Sequence, residues 1–163
     1  MSVLNILTAE SSGLLRKKAE KVRSVNSSII TLLNDLTETL EAHQAVGLSA
    51  PQVGSSQRLI VVKNESSHLL LINPVISRSE GRQVSFEGCL SLPGLYGKVK
   101  RPENIVVRAL NTKGKPYEMA ASGRLACILC HEIDHLDGVL FTDKVLPSSL
   151  ISVRRQAARR QDV

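Results

Sequence analysis

Aromatic side chains are almost absent from this sequence of 163 residues, which has no tryptophan. The four that occur are Phe86, Tyr96, Tyr117 and Phe141. The core must therefore be aliphatic, and stacking of rings on nucleic-acid bases is not indicated as a function. Hydrophobic residues make up 42% of the chain and charged residues 22%. Both fractions are typical of a globular protein and exclude a disordered or fibrous one.

Cysteines are few and odd in number: Cys89, Cys127 and Cys130. A framework of disulfides is therefore not predicted. The opening segment, MSVLNILTAE, lacks the charged start and long apolar stretch of a secretory signal. No apolar run reaches the roughly eighteen residues that a membrane-spanning helix needs. We therefore expect a cytoplasmic protein that has no membrane partner.

The length and the absence of any linker or repeat predict one domain over residues 1–163. The net charge is +6. Much of this excess is C-terminal, where the arginines are Arg154, Arg155, Arg159 and Arg160. This basic segment is either a solvated helical face or a surface for phosphate groups.

Apolar periodicity predicts helices over residues 26–43 and 123–136 and a final helix from Pro147, in which Leu150, Ile151 and Val153 face inward. Asn26 or Ser27 is the expected N-cap of the first helix and Ser122 that of the second. Apolar, β-branched runs predict strands at 59–62, 69–72, 105–110 and 117–120, mostly antiparallel, with a turn at 111–114. This order of elements predicts an α+β fold.

The second helix carries the motif His131-Glu132-Ile133-Asp134-His135. Residues four apart share a helix face, so both histidines can direct a ring nitrogen at one cation while Glu132 flanks it. The alternative is two core or solvated histidines that happen to have this spacing. A catalytic metal site of this kind needs a third protein ligand.

Downstream residues do not supply a third ligand. Phe141 stands where the longer HExxHxxGxxH pattern has histidine, and no glutamate follows Glu132. Cys127 is too far along the helix axis to share a cation with both histidines, and Cys130 points about 100° away from His131. Cys127 and Cys130 are therefore interpreted as core or pocket-wall residues. Cys89 remains, either as the third ligand or as a lone buried cysteine.

Three segments together resemble the signature motifs of the peptide deformylases, in the same order: GLSAPQ (47–52), EGCLSLPG (87–94) and HEIDH (131–135). The resemblance implies antiparallel sheets packed around the HExxH helix, with a long N-terminal helix and a C-terminal helix. It implies removal of the formyl group from the N-formylmethionine of newly made polypeptides. The implied cofactor is one divalent metal ion, usually Fe²⁺ in cells, with Zn²⁺, Ni²⁺ or Co²⁺ able to occupy the same site.

The resemblance also implies residue roles. The expected metal ligands are Cys89, His131 and His135. Glu132 is the expected general base for a water made more acidic by the metal, and the Gln52 amide and the Leu90 backbone N–H are the expected oxyanion donors. Expected substrate contacts are the backbone at Val46 and Gly47 and a methionine pocket partly lined by Cys127 and Ile128. Glu87 pairs with Arg101 either to brace the cysteine segment or as a weak surface ion pair.

Three residues depart from the usual motifs: Ala45 replaces glycine, Ser49 replaces alanine and Cys130 replaces glutamine. The Ala45 methyl group is expected to crowd the backbone or narrow the substrate edge. Two other functions are compatible with the sequence: a general metallopeptidase using the same ligands, and a catalytically silent relative that binds ribosomes or nascent chains through the basic C-terminal tail. The intact set of motif residues favours the enzyme.

Overall fold

The computed structural model describes residues 2–153, and within them it contains two antiparallel sheets and two α-helices. The larger sheet has the strand order β1-β2-β3-β6-β7. Its strands are β1 (Gly47–Ser49), β2 (Leu59–Asn64), β3 (Ser67–Glu80), β6 (Asn104–Leu110) and β7 (Pro116–Ser122). The smaller sheet has the order β4-β5-β8, with β4 (Gln83–Cys89), β5 (Leu92–Arg101) and β8 (Ile151–Ser152). The α+β prediction is confirmed.

The first helix, α1, spans Ser27–Ala42 and confirms the prediction for residues 26–43. Asn26 is its N-cap, and the Asn26 side chain accepts a hydrogen bond from the Ile29 backbone N–H at 3.1 Å. Its apolar positions recur at helical spacing and are buried: Ile29, Leu33, Leu36 and Leu40. This stripe packs against one face of the larger sheet.

The second helix, α2, spans Gly123–Leu136, as predicted. Alternate residues of β2 join different apolar clusters: Leu59 and Val61 lie with the α1 residues, and Ile60 and Val62 lie with the α2 residues. Because successive strand side chains point to opposite faces, the two helices cover opposite faces of the larger sheet. The α2 helix also contacts β4 and β5, so it lies between the two sheets.

Two strands of the smaller sheet, β4 and β5, were not predicted. Their exposed positions mix apolar and charged side chains, with Phe86 opposite Lys98, so no clean alternation marks them. Their inward positions include a glycine and two charged side chains. Gly97 is packed against Val145, and Glu87 and Arg101 are buried. Hydrophobic periodicity therefore carries no strand signal here.

The prediction of a final helix from Pro147 is wrong for the described part of that segment. Residues Ile151–Ser152 form β8, which pairs with Leu95 and Tyr96 of β5. The Val153 backbone N–H also donates to the Gly94 carbonyl at 2.7 Å. The side chains expected to face inward are instead about half exposed: Leu150, Ile151 and Val153. Backbone N–H and C=O groups along the edge of β5 are free to pair with this segment, and a prediction from helical propensity does not take that pairing into account. The arginines at 154–160 lie outside the described residues.

The C-terminal end of α2 is held by Arg58, whose side chain is only 7% exposed. Its Nη1 donates to the Leu136 carbonyl at 2.9 Å and to Asp137 Oδ1 at 3.0 Å. The last carbonyls of a helix have no partner within the helix, and here the guanidinium and the Ala19 backbone N–H, at 2.7 Å, both donate to that of Leu136. Within residues 2–153, no helix is both long and apolar enough to cross a membrane.

Substituting Arg58→Met should destabilise the protein by about 2 kcal/mol, because it removes the charged hydrogen bonds to the Leu136 carbonyl and to Asp137 and leaves that carbonyl with only the Ala19 backbone N–H among the described residues. Urea unfolding of the metal-loaded protein measures this change. Arg108→Met is the matched control, since the Arg108 side chain is 64% exposed and its ion pair in the described part of the chain is with Glu118. An equal loss of stability in both variants would contradict the capping role of Arg58.

Candidate metal centre and active site

Three potential metal ligands converge where the end of β4 meets α2. They are Cys89, His131 and His135, and their ligand atoms lie within 4.8 Å of one another. Cys89 Sγ is 3.3 Å from His135 Nε2. Both histidines are buried and Cys89 is half-buried. The helical spacing of four places the two imidazoles side by side, with ring centroids 5.0 Å apart.

This donor set fits a divalent transition metal. One thiolate and two imidazole nitrogens are suitable ligands for iron, zinc, nickel and cobalt, and three protein ligands leave a coordination position for a reactant. His131 Nδ1 contacts Glu87 Oε1 at 2.8 Å, so Nε2 is the nitrogen left for the centre. A carboxylate on the second nitrogen is the usual support of a metal-binding histidine.

Glu87 is itself held by Arg101, in two parallel hydrogen bonds. Arg101 Nε donates to Glu87 Oε2 at 2.9 Å, and Nη2 donates to Oε1 at 2.7 Å. Arg101 Nη1 also donates to Asp134 Oδ2 at 2.7 Å. The Arg101 and Glu87 side chains are 2% and 7% exposed. This is a buried brace for the cysteine segment, and the alternative of a weak surface pair is wrong.

Protonation in the centre follows from burial and from these pairs. Burial opposes the charged form of Glu87, but the hydrogen bonds from Arg101 and His131 outweigh it and lower the pKa of Glu87 to about 2. Burial also opposes charge on His131, yet its contacts with Cys89 and Glu87 raise the pKa of His131 to about 10. Burial and the neighbouring His131 lower the pKa of His135 to about 3. The centre thus favours a positive charge beside the Glu87 carboxylate, a role that a bound cation would take over.

Glu132 is 5% exposed and faces β1. A Cβ atom added to Gly47 would lie 2.8 Å from both Cγ and Oε1 of Glu132, so only glycine allows this approach. Glu132 Oε2 is buried and has no hydrogen-bond partner within the described chain. Burial raises the pKa of Glu132 to about 7, a change that His131 opposes. A carboxyl group with a pKa near neutrality can accept a proton and return it.

Gln52 lies in a 3-10 helix, Ala50–Val53, that follows β1. Its Oε1 accepts hydrogen bonds from the Ser49 backbone N–H and the Ser49 hydroxyl, each at 3.0 Å. This fixes the amide so that Nε2 points to Cys89 Sγ at 3.5 Å and to Ser91 Oγ at 3.2 Å. The unusual Ser49 therefore orients Gln52. Leu90 follows Cys89 directly and is partly buried against the α1 cluster.

The predicted substrate positions lie on two elements. Gly47 begins β1, the end strand of the larger sheet, and Val46 precedes it, whereas Cys127 and Ile128 lie on α2. Val46 and Ile128 border one groove of about 320 Å³. Cys127 is buried, and this burial raises the pKa of its thiol. Cys130 is buried in the apolar cluster around α2.

Two supporting residues were missed in the sequence. Ser91 is fully buried, and its hydroxyl accepts a hydrogen bond from the Gln52 amide. Asp134 accepts a hydrogen bond from Arg101. Both lie inside the motifs EGCLSLPG and HEIDH, and this position was the only indication that they support the centre. A lone serine or aspartate at such a position does not by itself indicate a supporting hydrogen bond. The Ala45 methyl group packs toward the α1 cluster instead of crowding the backbone of the centre.

Comparison with known proteins gives a consistent result. A family model described as polypeptide deformylase matches residues 3–150. Peptide deformylase of Acetivibrio thermocellus is 44% identical over 98% of this chain and 96% of its own. That of Caldanaerobacter subterraneus is 52% identical over 81% and 83%.

Solved structures agree with these relatives. The crystal structure of peptide deformylase from Thermotoga maritima has a TM-score of 0.87 at 34% identity and covers 90% of this chain and 100% of that one. The enzyme from Legionella pneumophila has a TM-score of 0.85 at 41% identity and covers 90% and 88%. The chain therefore belongs to the peptide deformylase family, the metal-dependent hydrolases that remove the formyl group from newly made polypeptides.

Proposed function

We propose that Cys89, His131 and His135 hold one divalent metal ion and that Glu132, Gln52 and Leu90 carry out deformylation beside it. The observation that carries this proposal is the convergence of the three ligand atoms within 4.8 Å at the point where Gln52 Nε2 also points. The ion supplies Lewis acidity toward the formyl carbonyl and increases the acidity of water. We infer Fe²⁺ in cells, with Zn²⁺, Ni²⁺ or Co²⁺ able to occupy the same ligands in purified protein.

Glu132 moves the proton in this mechanism. Its carboxylate takes a proton from the attacking water, whose oxygen forms a bond to the formyl carbon. The same proton then passes to the amide nitrogen as the carbon–nitrogen bond breaks, which releases formate and a free methionyl amine. The buried, unpartnered Oε2 and the pKa near 7 support this role, because neither protonation state is strongly preferred at neutral pH.

Gln52 and Leu90 stabilise the oxyanion that forms when the formyl carbon becomes tetrahedral. The Gln52 Nε2 group is a suitable donor because Ser49 holds the opposite end of the amide in place before the substrate arrives. A donor that is already oriented stabilises developing charge without reorganisation. The backbone N–H of Leu90, next to the proposed ligand Cys89, is the second donor.

The substrate backbone is proposed to pair with Val46 and Gly47. Among residues 2–153, strand β1 pairs only with β2, so its other edge is available for an extended peptide. The methionine side chain then enters a pocket partly lined by Cys127 and Ile128. A peptide deformylase from Synechococcus elongatus has been crystallised in complex with actinonin, and we propose that this compound also competes with substrate here.

We further propose that residues 1–163 act as one catalytic domain in the cytoplasm. The three cysteines are all free, which suits a reducing compartment. The ribosome is a proposed partner, because the positive charge of the C-terminal segment suits the phosphate groups of RNA. The arginines of that segment lie outside the described residues.

Substituting Glu132→Gln should lower formate release from N-formyl-methionyl peptides by about 10²- to 10⁴-fold, the usual contribution of a general base. Metal content should remain that of the wild type, because Glu132 is not a ligand in this proposal. Glu118→Gln is the control, since Glu118 is exposed and pairs with Arg108. Unchanged formate release, or cleavage of the peptide bond in place of formate release, would refute the proposed function.

Substituting Gly47→Ala should lower kcat by about 10- to 100-fold, because the new methyl group must displace the Glu132 side chain. Metal content and thermal stability distinguish this local effect from loss of the fold. Gly13→Ala is the matched control, because an added Cβ there meets no atom within 4 Å. Equal rates for the two variants would show that Glu132 does not act from the position seen here.

A further inference from the structure

A groove borders two of the proposed substrate positions, Val46 and Ile128. One of its walls is the end of β2 with the β2–β3 turn, and the other is the first half of α2. The lining residues of the two walls are Lys63, Asn64 and Glu65 and, on α2, Arg124, Leu125 and Ile128. The groove has a volume of about 320 Å³, and Val46 is 40% exposed within it.

The charges of the groove are not equally compensated. Lys63 Nζ lies 3.2 Å from Glu41, which also binds His68. Arg124 is exposed, and none of the ion pairs within residues 2–153 involves it. Glu65 likewise has no ion pair there, but it lies on the opposite wall. The α2 wall therefore presents one uncompensated positive charge.

The direction of a bound peptide follows from Gly47. Gly47 approaches Glu132 closely, so the proposed role of Glu132 puts the formyl group of a substrate beside Gly47. Val46 is the next residue, and its carbonyl accepts a hydrogen bond from the Lys63 N–H at 2.8 Å. A peptide that follows the free edge of β1 away from Glu132 therefore passes Val46, which borders the groove opposite Arg124 and Ile128 of α2.

The spacing identifies which substrate residue meets Arg124. Arg124 precedes His131 by seven residues, or about 10 Å along the helix axis. An extended peptide advances about 3.3 Å per residue, so this distance corresponds to about three residues. Side chains alternate along an extended peptide. If methionine points to Cys127 and Ile128 on α2, the third residue also points to α2, whereas the second points away.

We propose that Arg124 makes this enzyme favour formylated peptides that carry an acidic third residue. The inference rests on the proposed function, because it uses the proposed methionine pocket to set the register. Arg124 shares a helix face with Ile128, four residues later, so its guanidinium can reach along the groove toward a carboxylate at that position. Glu65 lines the groove from the β2–β3 turn, on a different element from Arg124, and its contribution is separated by the variant Glu65→Gln.

The test compares kcat/KM for formyl-Met-Ala-Asp-Ser-amide and formyl-Met-Ala-Asn-Ser-amide, with formate release as the readout. In the metal-loaded wild type, aspartate should be preferred about two- to fivefold at low ionic strength, the range expected of one exposed ion pair. Added salt should reduce the preference. Moving aspartate to the second position should abolish it.

Three variants assign the effect. Arg124→Gln should bring the aspartate to asparagine ratio to about one while the rate on the asparagine peptide stays near that of the wild type. Glu65→Gln should keep the preference for aspartate. Lys113→Gln, which removes an exposed positive charge in the β6–β7 turn, should leave the ratio unchanged.

Two results would overturn the inference while the proposed function stands: an aspartate to asparagine ratio that is the same in wild type and Arg124→Gln, or a preference at the second position. If Lys113→Gln lowered the ratio as much as Arg124→Gln, the net charge of the protein would be the cause and the inference would also fail. Absence of formate from every peptide would instead overturn the proposed function, and this inference with it.

Discussion

The Glu87 carboxylate connects the parts of the molecule that must meet at the metal centre. It lies on β4, two residues before Cys89, and it contacts His131 on α2 while Arg101 on β5 holds both of its oxygens. Arg101 then reaches Asp134, one helical turn beyond His131. Through this chain of contacts the smaller sheet and α2 are fixed relative to each other. The positions of Cys89 and the histidines depend on it.

Such a buried network has a cost that its geometry must offset. Removing charges from water is unfavourable by several kcal/mol for each ion, and only well-placed partners compensate for it. Here each buried group has an oppositely charged or hydrogen-bonding partner within 3 Å. Loss of one member would leave another charge buried without a partner. The network is therefore better understood as fixing the geometry of the centre than as a source of stability.

The sequence predicted the features that have a periodic or capped pattern. The bounds of α2, the Asn26 cap and four strands of the larger sheet follow from spacing and from residue type. Cys89 was found because no downstream ligand exists and because its segment resembles a family motif. The family motifs also identified Gln52, although not the Ser49 contact that orients it.

The remaining features depend on contacts that are distant in sequence. Strand β8 forms because β5 has a free edge, which no property of residues 147–153 reveals. Strands β4 and β5 bury an ion pair where a periodic pattern expects apolar side chains. The unusual Ser49 and Cys130 likewise have clear roles only in three dimensions, one as a partner of Gln52 and the other as a core residue.

Metal analysis of protein purified without oxygen tests the three metal ligands most directly, with Cys89→Ala compared with Cys130→Ala. We expect about one equivalent of divalent metal per chain in the wild type and in Cys130→Ala, since Cys130 is buried in the apolar cluster around α2. We expect Cys89→Ala to lose most of that metal while circular dichroism shows that the fold is retained. A folded Cys89→Ala variant that kept the full metal content would contradict the assignment of the centre.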